Sequence, residues 1–335
     1  MADVSVASSP TPSPQTLEHP SLYFADGDIA LSARESDMLT YIFRVHRLFL
    51  SHYAVGLRGM IAAATGGDAI EEYDCVPLVR MPEEDCAEDV ARLIEVIYDI
   101  SSLPRRLAAG RRADSPLLLS GLLDISDKYK IPGIVSVIKE HVRKEWPTTL
   151  AGWEIRQIEL QSTATHDILP EPVSAIQFAT AYDIPSILPA AFYHLAVLPT
   201  KRDWHDVPER PSLPAQSYPV ANSHAARWFS LDDCNAVRFT KGRDAMLEYY
   251  FAHFADNMVP VTDAYGRRDT GCICKFESLQ TEMQCAGVCQ NLDCLQELKR
   301  LIERCDHAHG FCGRCVTRVR QNFAKLRADI WNRLP

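Results

Sequence analysis

A chain of 335 residues with 47% hydrophobic and 24% charged side chains exceeds what one compact core usually holds, and its composition excludes dominant disorder. The formal net charge of -9 excludes a protein that coats nucleic acid along its whole length, because phosphate binding needs Lys and Arg in excess. No apolar run approaches the roughly 20 residues of a membrane helix, and residues 1–19 lack the charged start and apolar core of a signal peptide, so the chain reads as intracellular, cytoplasmic or nuclear, with its 11 cysteines as thiols or metal ligands.

Residues 1–19 read as a disordered tail, because the stretch up to residue 16 is Ser, Thr, Pro and Ala with little to bury. Ser9-Pro10, Thr11-Pro12 and Ser13-Pro14 have the form of proline-directed phosphorylation sites, although a solvated leader needs no such role. Asp26-Gly27 suits a tight turn into a strand at Asp28-Ile29-Ala30-Leu31. The run Phe43-Arg44-Val45-His46-Arg47-Leu48-Phe49-Leu50-Ser51 changes period in the middle: Phe43 and Val45 alternate with polar neighbours, whereas Leu48, Phe49 and Tyr53 recur at helical spacing. A strand running straight into a helix is expected, with Met60 closing that helix.

Val76–Met81 reads as a short strand stopped by Pro82, with Glu83, Glu84 and Asp85 as the acidic first turn of the next helix. Val90, Leu93, Ile94, Ile97 and Tyr98 form one helical stripe, and residues 101–114, with Arg105, Arg106, Arg111 and Arg112, read as a long solvated loop. Ser115-Pro116 starts a helix whose buried face is Leu118, Leu122, Ile125 and Tyr129. Ile131-Pro132-Gly133 breaks it, and Ile134, Val137, Ile138, His141 and Val142 carry the stripe of a second helix that ends at Pro147.

The "DGDIAL" and "FRVHRLFLS" segments with Met60 and the closing helical hairpin resemble the BTB/POZ domain, in the version common in fungal proteins, over residues 20–147. The resemblance implies an α+β fold and a protein-interaction module that forms homodimers or heterodimers with another BTB protein, many members recruiting a cullin ubiquitin-ligase scaffold or a transcriptional corepressor. It places Asp28 and Arg47 in a charged pocket near the dimer interface, and His46 at the family histidine that holds the strand-to-helix step by hydrogen bonds. No kelch repeats, MATH domain or paired-Cys, paired-His fingers accompany it, so the usual substrate-binding or DNA-binding partner domain is missing.

A helical region follows over residues 148–260, and it opens on a repeat. Residues 120–141 align without gaps on residues 173–194 at an offset of 53, pairing Tyr129 with Tyr182, Ile131-Pro132 with Ile184-Pro185, and His141 with His194. Each helical hairpin has an apolar face it cannot bury alone, so this is a packing signal, expected to stack into a common core. Five prolines make residues 199–228 an exposed connection. Helical signal returns at Ser230, with Asp233 as a loose capping box and Met246, Leu247, Tyr250, Phe251 and Phe254 as an aromatic stripe.

Residues 261–335 are Cys-rich: Cys272, Cys274, Cys285, Cys289, Cys294, Cys305, Cys312 and Cys315 lie there with His307 and His309. Cys312-x-x-Cys315 has zinc-knuckle spacing, and Cys305, His307 or His309 could complete a structural zinc set, while Cys272-x-Cys274 with Cys285 and Cys289 could make another. Against it, Cys294, Leu298, Leu301 and Cys305 share one helix face, as buried small residues would. On the last helix Val316, Val319, Phe323, Leu326 and Ile330 share a face, and Arg314, Arg318, Arg320, Lys325, Arg327 and Arg333 against Asp329 leave a local charge of +5. This favours a solvated basic face, the alternative being a nuclear regulator whose C-terminus binds zinc and nucleic acid. No GxSxG, GxxxxGK, GxGxxG or HExxH motif is present, so the expected function lies in a surface and not in catalysis.

Overall fold

The run Ile29–Ala33 is buried on both sides of the chain because it forms the middle of a five-stranded sheet. The computed structural model describes residues 15–66, 70–109, 115–162, 171–201, 203–204, 225–257, 277, 293–307 and 312–334. Two units divide the chain: Met1–Gly110 with Leu118–His141, and Arg111–Leu117 with Val142–Pro335.

In the first unit the strands are β1 (Gln15–Tyr23), β2 (Ile29–Ser36), β3 (Leu39–Val45), β4 (Glu72–Tyr73) and β5 (Val76–Arg80), in the order β1-β3-β2-β5-β4. β2 and β3 form an antiparallel hairpin with Ile29 opposite Val45, and β5 joins β2 in parallel with Ala30 opposite Leu78. Residues 15–19, expected in the tail, belong instead to β1, where Thr16–Glu18 pair in parallel with Thr40–Ile42. The outer edge of β3 supplies backbone partners to this exposed segment, and Pro20 is tolerated because β1 is an edge strand. No side-chain periodicity announces such a strand.

The strand-to-helix change after Val45 is present: α1 (Arg47–Tyr53) follows β3 directly. The helix stops at Ala54, which leaves helical geometry (φ -101°, ψ 79°), and Gly56 N–H donates to the Tyr129 carbonyl at 2.9 Å. Met60 therefore does not close that helix; it lies inside α2 (Arg58–Thr65). The third helix, α3 (Ala87–Tyr98), buries Val90, Leu93, Ile94 and Ile97 as its stripe requires. It starts later than expected: Cys86 is at the cap, Glu88 and Asp89 are the first-turn acids, and Glu83–Asp85 form a turn that draws Asp85 inward.

The segment expected as a loop contains α4 (Leu103–Ala109), preceded by a single 3-10 turn at Ile100–Ser102. Pro104 fits a helical first turn, the Asp99 carboxylate accepts from Ser102 N–H at 3.3 Å, and Arg106 pairs with Glu95 at 2.8 Å. Arg111 and Arg112 lie outside the described residues. The helical hairpin is α5 (Ser115–Lys128) and α6 (Pro132–Glu145). Leu118 is 40% exposed, and the buried hydrophobic side chains of α5 are Leu122, Leu123 and Ile125, with Tyr129 just past its end.

The second unit holds α7 (Leu150–Ser162), α8 (Pro172–Ala181), α9 (Leu188–Val197), α10 (Asp233–Asn257), α11 (Cys294–His307) and α12 (Gly313–Trp331). Trp153, Tyr193, Tyr250 and Phe323 are its large fully buried side chains. The Glu171 carboxylate caps α8 by accepting from Val173 N–H (2.9 Å) and Ser174 N–H (2.7 Å). The cap of α10 is Asp232, not Ser230, which belongs to a 3-10 turn: Asp232 accepts from Asn235 N–H at 2.9 Å. On α10 Met246 and Tyr250 are buried but Phe251 is 49% exposed, a narrower stripe than expected. Residues 205–224 of the Pro-rich connection lie outside the described residues, and its ends meet where Trp204 N–H donates to the Ala226 carbonyl at 3.0 Å.

Not all of the cationic set on α12 is solvated. Arg327 is only 8% exposed, donating from Nε to the Leu295 carbonyl at 3.0 Å and pairing with Glu154 at 2.6 Å. A buried arginine on the apolar face of its helix reads from sequence like a surface one, because its partners come from α11 and α7.

Candidate functional site

The site is the junction between β3 and α1. Asp28 N–H donates to the Val45 carbonyl at 3.0 Å, which fixes Asp28 beside the end of β3. The turn before it needs Gly27: a Cβ there would stand 2.9 Å from Arg44 Cγ and from Val45 N. Asp28 is thereby aimed at the first turn of α1, and its carboxylate accepts from Arg47 N–H at 2.6 Å. It thus performs the capping that His46, at the cap position, does not. Arg47 Nε lies 3.8 Å from Asp28 Oδ2, with the two side chains 52% and 53% exposed. The charged pair expected at Asp28 and Arg47 is therefore on the surface of the chain, where such a pair contributes about 0.2 to 1 kcal/mol.

His46 holds the junction by its hydrogen bonds. Its N–H donates to Tyr98 Oη at 2.9 Å, and its ring Nδ1 lies 2.7 Å from the same oxygen. The other ring nitrogen, Nε2, lies 3.4 Å from Asp26 Oδ2. Burial, with the Asp26 and Asp28 carboxylates in addition, raises the Tyr98 phenol above its ordinary range, against the lowering by the His46 N–H. The Tyr98 ring stacks with Phe24 (centroids 5.1 Å apart) and with Phe49 (5.0 Å). Leu50 and Leu57 point inward, while Leu48, Phe49 and Val55 are 76%, 39% and 49% exposed.

Sequence reasoning missed Tyr98 and Phe24 as members of this junction. Tyr98 was visible only as the end of an apolar stripe, yet a tyrosine that closes such a stripe needs a partner for its hydroxyl, and that need was the available signal.

A second polar constellation ties α3 to the hairpin. Asp85 is 6% exposed and accepts from Tyr129 Oη and from Lys128 Nζ (2.7 Å); Glu84 accepts from the same ammonium at 2.9 Å. Burial first, and the Asp85 carboxylate second, push the Tyr129 phenol far up. This arrangement ties the turn before α3 to the corner of the hairpin.

Of the candidate zinc set, His309 and the Cys305 side chain lie outside the described residues, as do Cys272, Cys274, Cys285 and Cys289. Cys312 is exposed at the cap of α12, and Cys315 is buried (1% exposed). Cys294 is also buried, and burial followed by the Asp293 carboxylate pushes its thiol up to about 12, in keeping with a packed thiol. Among the described residues no group of three or more His, Cys, Asp and Glu is arranged to hold a metal, and no helix is long and apolar enough to cross a membrane. No protein-family model, curated protein or solved structure matches the chain.

Proposed function

We propose that the chain is a protein-interaction module in which residues 20–147 form a BTB/POZ-type domain that pairs with itself or with another BTB protein. The observation that carries this reading is the apolar set presented outward beside the junction: Leu48, Phe49 and Val55, 76%, 39% and 49% exposed, next to the Asp28 and Arg47 charges. Leu48 and Phe49 are consecutive on α1, and exposed apolar side chains of this size suit cover by a partner. The order of elements adds support: an antiparallel hairpin feeding a helix, a strand added in parallel to the hairpin, and a closing helical pair. A cullin ubiquitin-ligase scaffold or a transcriptional corepressor is the further partner that the family resemblance implies, which makes the chain an adaptor.

Sedimentation of the full chain at micromolar concentration tests the association. A dimer is expected, and Leu48→Glu combined with Val55→Glu should dissociate it, because a charge in a dry interface is left unpaired. A wild-type monomer would reject self-pairing. Asp28→Asn and Arg47→Gln then separate two roles: in the isolated chain each change costs at most about 1 kcal/mol, whereas burial of the pair against a partner raises the loss to about 3 to 5 kcal/mol in dimer stability.

A further inference from the structure

We propose that a proton on His19 releases the edge segment Gln15–Glu18 of β1 from the sheet and uncovers the outer edge of β3. The pairing of β1 is broken at this histidine. Glu18 lies opposite Ile42 and Tyr23 opposite Arg44, so His19–Leu22 bulge out against Phe43 alone. Pro20 has no N–H, and within the break the amides of Ser21 and Leu22 have no place in the ladder. The His19 ring collects them. Its Nδ1 accepts from Leu22 N–H at 3.2 Å and from Ser21 N–H at 3.4 Å, and the Ser21 hydroxyl lies 3.5 Å from the same nitrogen.

An amide N–H can only donate, so Nδ1 holds the bulge only while it carries no proton. The second proton of an imidazolium sits on that nitrogen and points at the two amides. Little else keeps the segment before the bulge in place. Gln15, Thr16, Leu17 and Glu18 are all exposed, Leu22 is the one buried side chain of the strand, and in the sheet β1 pairs with β3 only. The ring also joins β1 to β3 by packing: it is stacked on Phe43, with centroids 4.9 Å apart, and edge-on to Tyr41 at 5.7 Å.

The surroundings of the ring set the direction of the switch. Burial holds the imidazole below its ordinary value of 6.5, and the Glu95 carboxylate of α3, which pulls the other way, is shared with Arg106 at 2.8 Å. Glu18, the neighbour in the chain, acts on Tyr23 and Tyr73 instead. A ring that binds its proton less readily docked than free supports docking fully above that ordinary value. The support is lost as pH falls below it, by at most about tenfold in the opening equilibrium per pH unit. The backbone of Leu39–Ile42, which β1 covers when docked, is then open to another strand.

The test is digestion of the full chain with a glutamate-specific protease between about pH 7.5 and about pH 5, the interval in which histidine titrates. The rate of cutting after Glu18 is divided by that of a free peptide of residues 15–23 in the same buffer, which removes the pH dependence of the protease and of unstructured His19. This ratio should rise several-fold towards the acid end. Cutting after Glu88, inside α3 and corrected in the same way, should not rise with it, which separates release of β1 from loosening of the whole unit. His19→Asn keeps a side-chain acceptor for the amides that follow but does not titrate, so it should be cut slowly at every pH. His19→Phe keeps a ring on Phe43 without an acceptor and should be cut fast even at the neutral end. The proposal is overturned if the wild-type ratio is flat, if cutting after Glu88 rises in step, if His19→Asn keeps the acid rise, or if His19→Phe is as protected as wild type at the neutral end.

Discussion

Lys130 and Asp183, which stand at the same place in the two halves of the repeat, both hold a left-handed backbone, with φ of 59° and 55°. The hydrogen bonds around them match as well. Tyr129 N–H donates to the Ile125 carbonyl at 3.0 Å and Tyr182 N–H to the Phe178 carbonyl at 3.0 Å; Ile131 N–H reaches the Ser126 carbonyl at 2.8 Å and Ile184 N–H the Ala179 carbonyl at 2.9 Å. This is the helix ending in which one left-handed residue turns the chain so that the next amides satisfy the last free carbonyls. The Ile-Pro pair that follows prevents the helix from continuing.

Glycine is the residue that adopts this conformation without a Cβ penalty, so Lys130→Gly should stabilise the hairpin by about 0.5 kcal/mol, the relief of left-handed strain exceeding the entropy glycine loses on folding. Asp183→Gly should gain less, because aspartate tolerates the conformation. Lys130→Val, β-branched at positive φ, should lower the melting temperature. Thermal melts of the three variants check the order.

The two corners differ in their side chains. Tyr129 is 3% exposed and donates to the buried Asp85, whereas Tyr182 is half-buried with its ring against Phe178 at 4.5 Å. Tyr129→Ala should cost about 3 to 5 kcal/mol and Tyr182→Ala clearly less. Tyr129→Phe alone should cost about 1 to 3 kcal/mol, since Asp85 keeps Lys128 but loses its buried donor. Equal losses at the two tyrosines in denaturant titrations would contradict the difference in burial.

Three glycines give a graded test of close packing. A Cβ at Gly56 would stand 2.8 Å from the Tyr129 Cα, which is backbone and cannot swing away, so Gly56→Ala should destabilise by about 1 to 3 kcal/mol. At Gly121 the obstacle is the Asp89 carboxylate, the end of a side chain engaged with Cys86 and Arg92; the cost should be smaller, and it should disappear if Asp89 is first changed to Ala. Gly59 lies in α2 with nothing within 4 Å, so Gly59→Ala should stabilise by about 0.5 to 1 kcal/mol.

What the sequence made legible was local. The change of period at Phe43–Tyr53, the α3 stripe and the repeated Ile-Pro corner depend on residues near one another, and each is present. The late start of α3, the end of α1 at Ala54, strand β1 and the inward turn of Arg327 depend on partners far along the chain: Tyr129 for both Asp85 and Gly56, the β3 edge for β1, and Glu154 with Leu295 for Arg327. The junction was half legible for the same reason. Asp28, His46 and Arg47 stand in a readable motif, but Tyr98, which satisfies His46 twice, is brought there by the fold.

Arg327 should be costly to lose although in the sequence it looks like one of many surface basic residues on its helix. Arg327→Met keeps much of the volume but strands the Leu295 carbonyl and leaves Glu154, 31% exposed, without its partner. A loss of about 2 to 3 kcal/mol is expected, below that of a fully buried pair because water still reaches Glu154. Adding Glu154→Gln should recover part of it. Arg318→Met, on the exposed face, should change stability by no more than about 0.5 kcal/mol.

The last prediction concerns pH. The Asp232 carboxylate accepts from Asn235 N–H at 2.9 Å and from Asn235 Nδ2 at 2.6 Å, and Asn235 is in turn 3.4 Å from Thr180 Oγ1 on α8. The Asn235 amide, opposed by burial, holds the Asp232 carboxyl below its ordinary value of 3.8. A carboxyl that binds its proton less readily folded than unfolded stabilises fully above that ordinary value, and the contribution disappears as pH falls through the lower folded value. Asp232→Ala should therefore lower stability by about 1 kcal/mol at neutral pH, the usual loss for a helix cap. The difference between wild type and Asp232→Ala should shrink as the buffer is taken from about pH 5 towards about pH 2, within the range where such carboxylates titrate. Asp232→Asn, which keeps an acceptor but no charge, should retain part of the cap at neutral pH and show no such convergence. Melting curves of the three proteins across that interval decide it: a wild type that stays ahead of Asp232→Ala by the same margin down to the acid end would mean that the carboxylate charge contributes nothing to the cap.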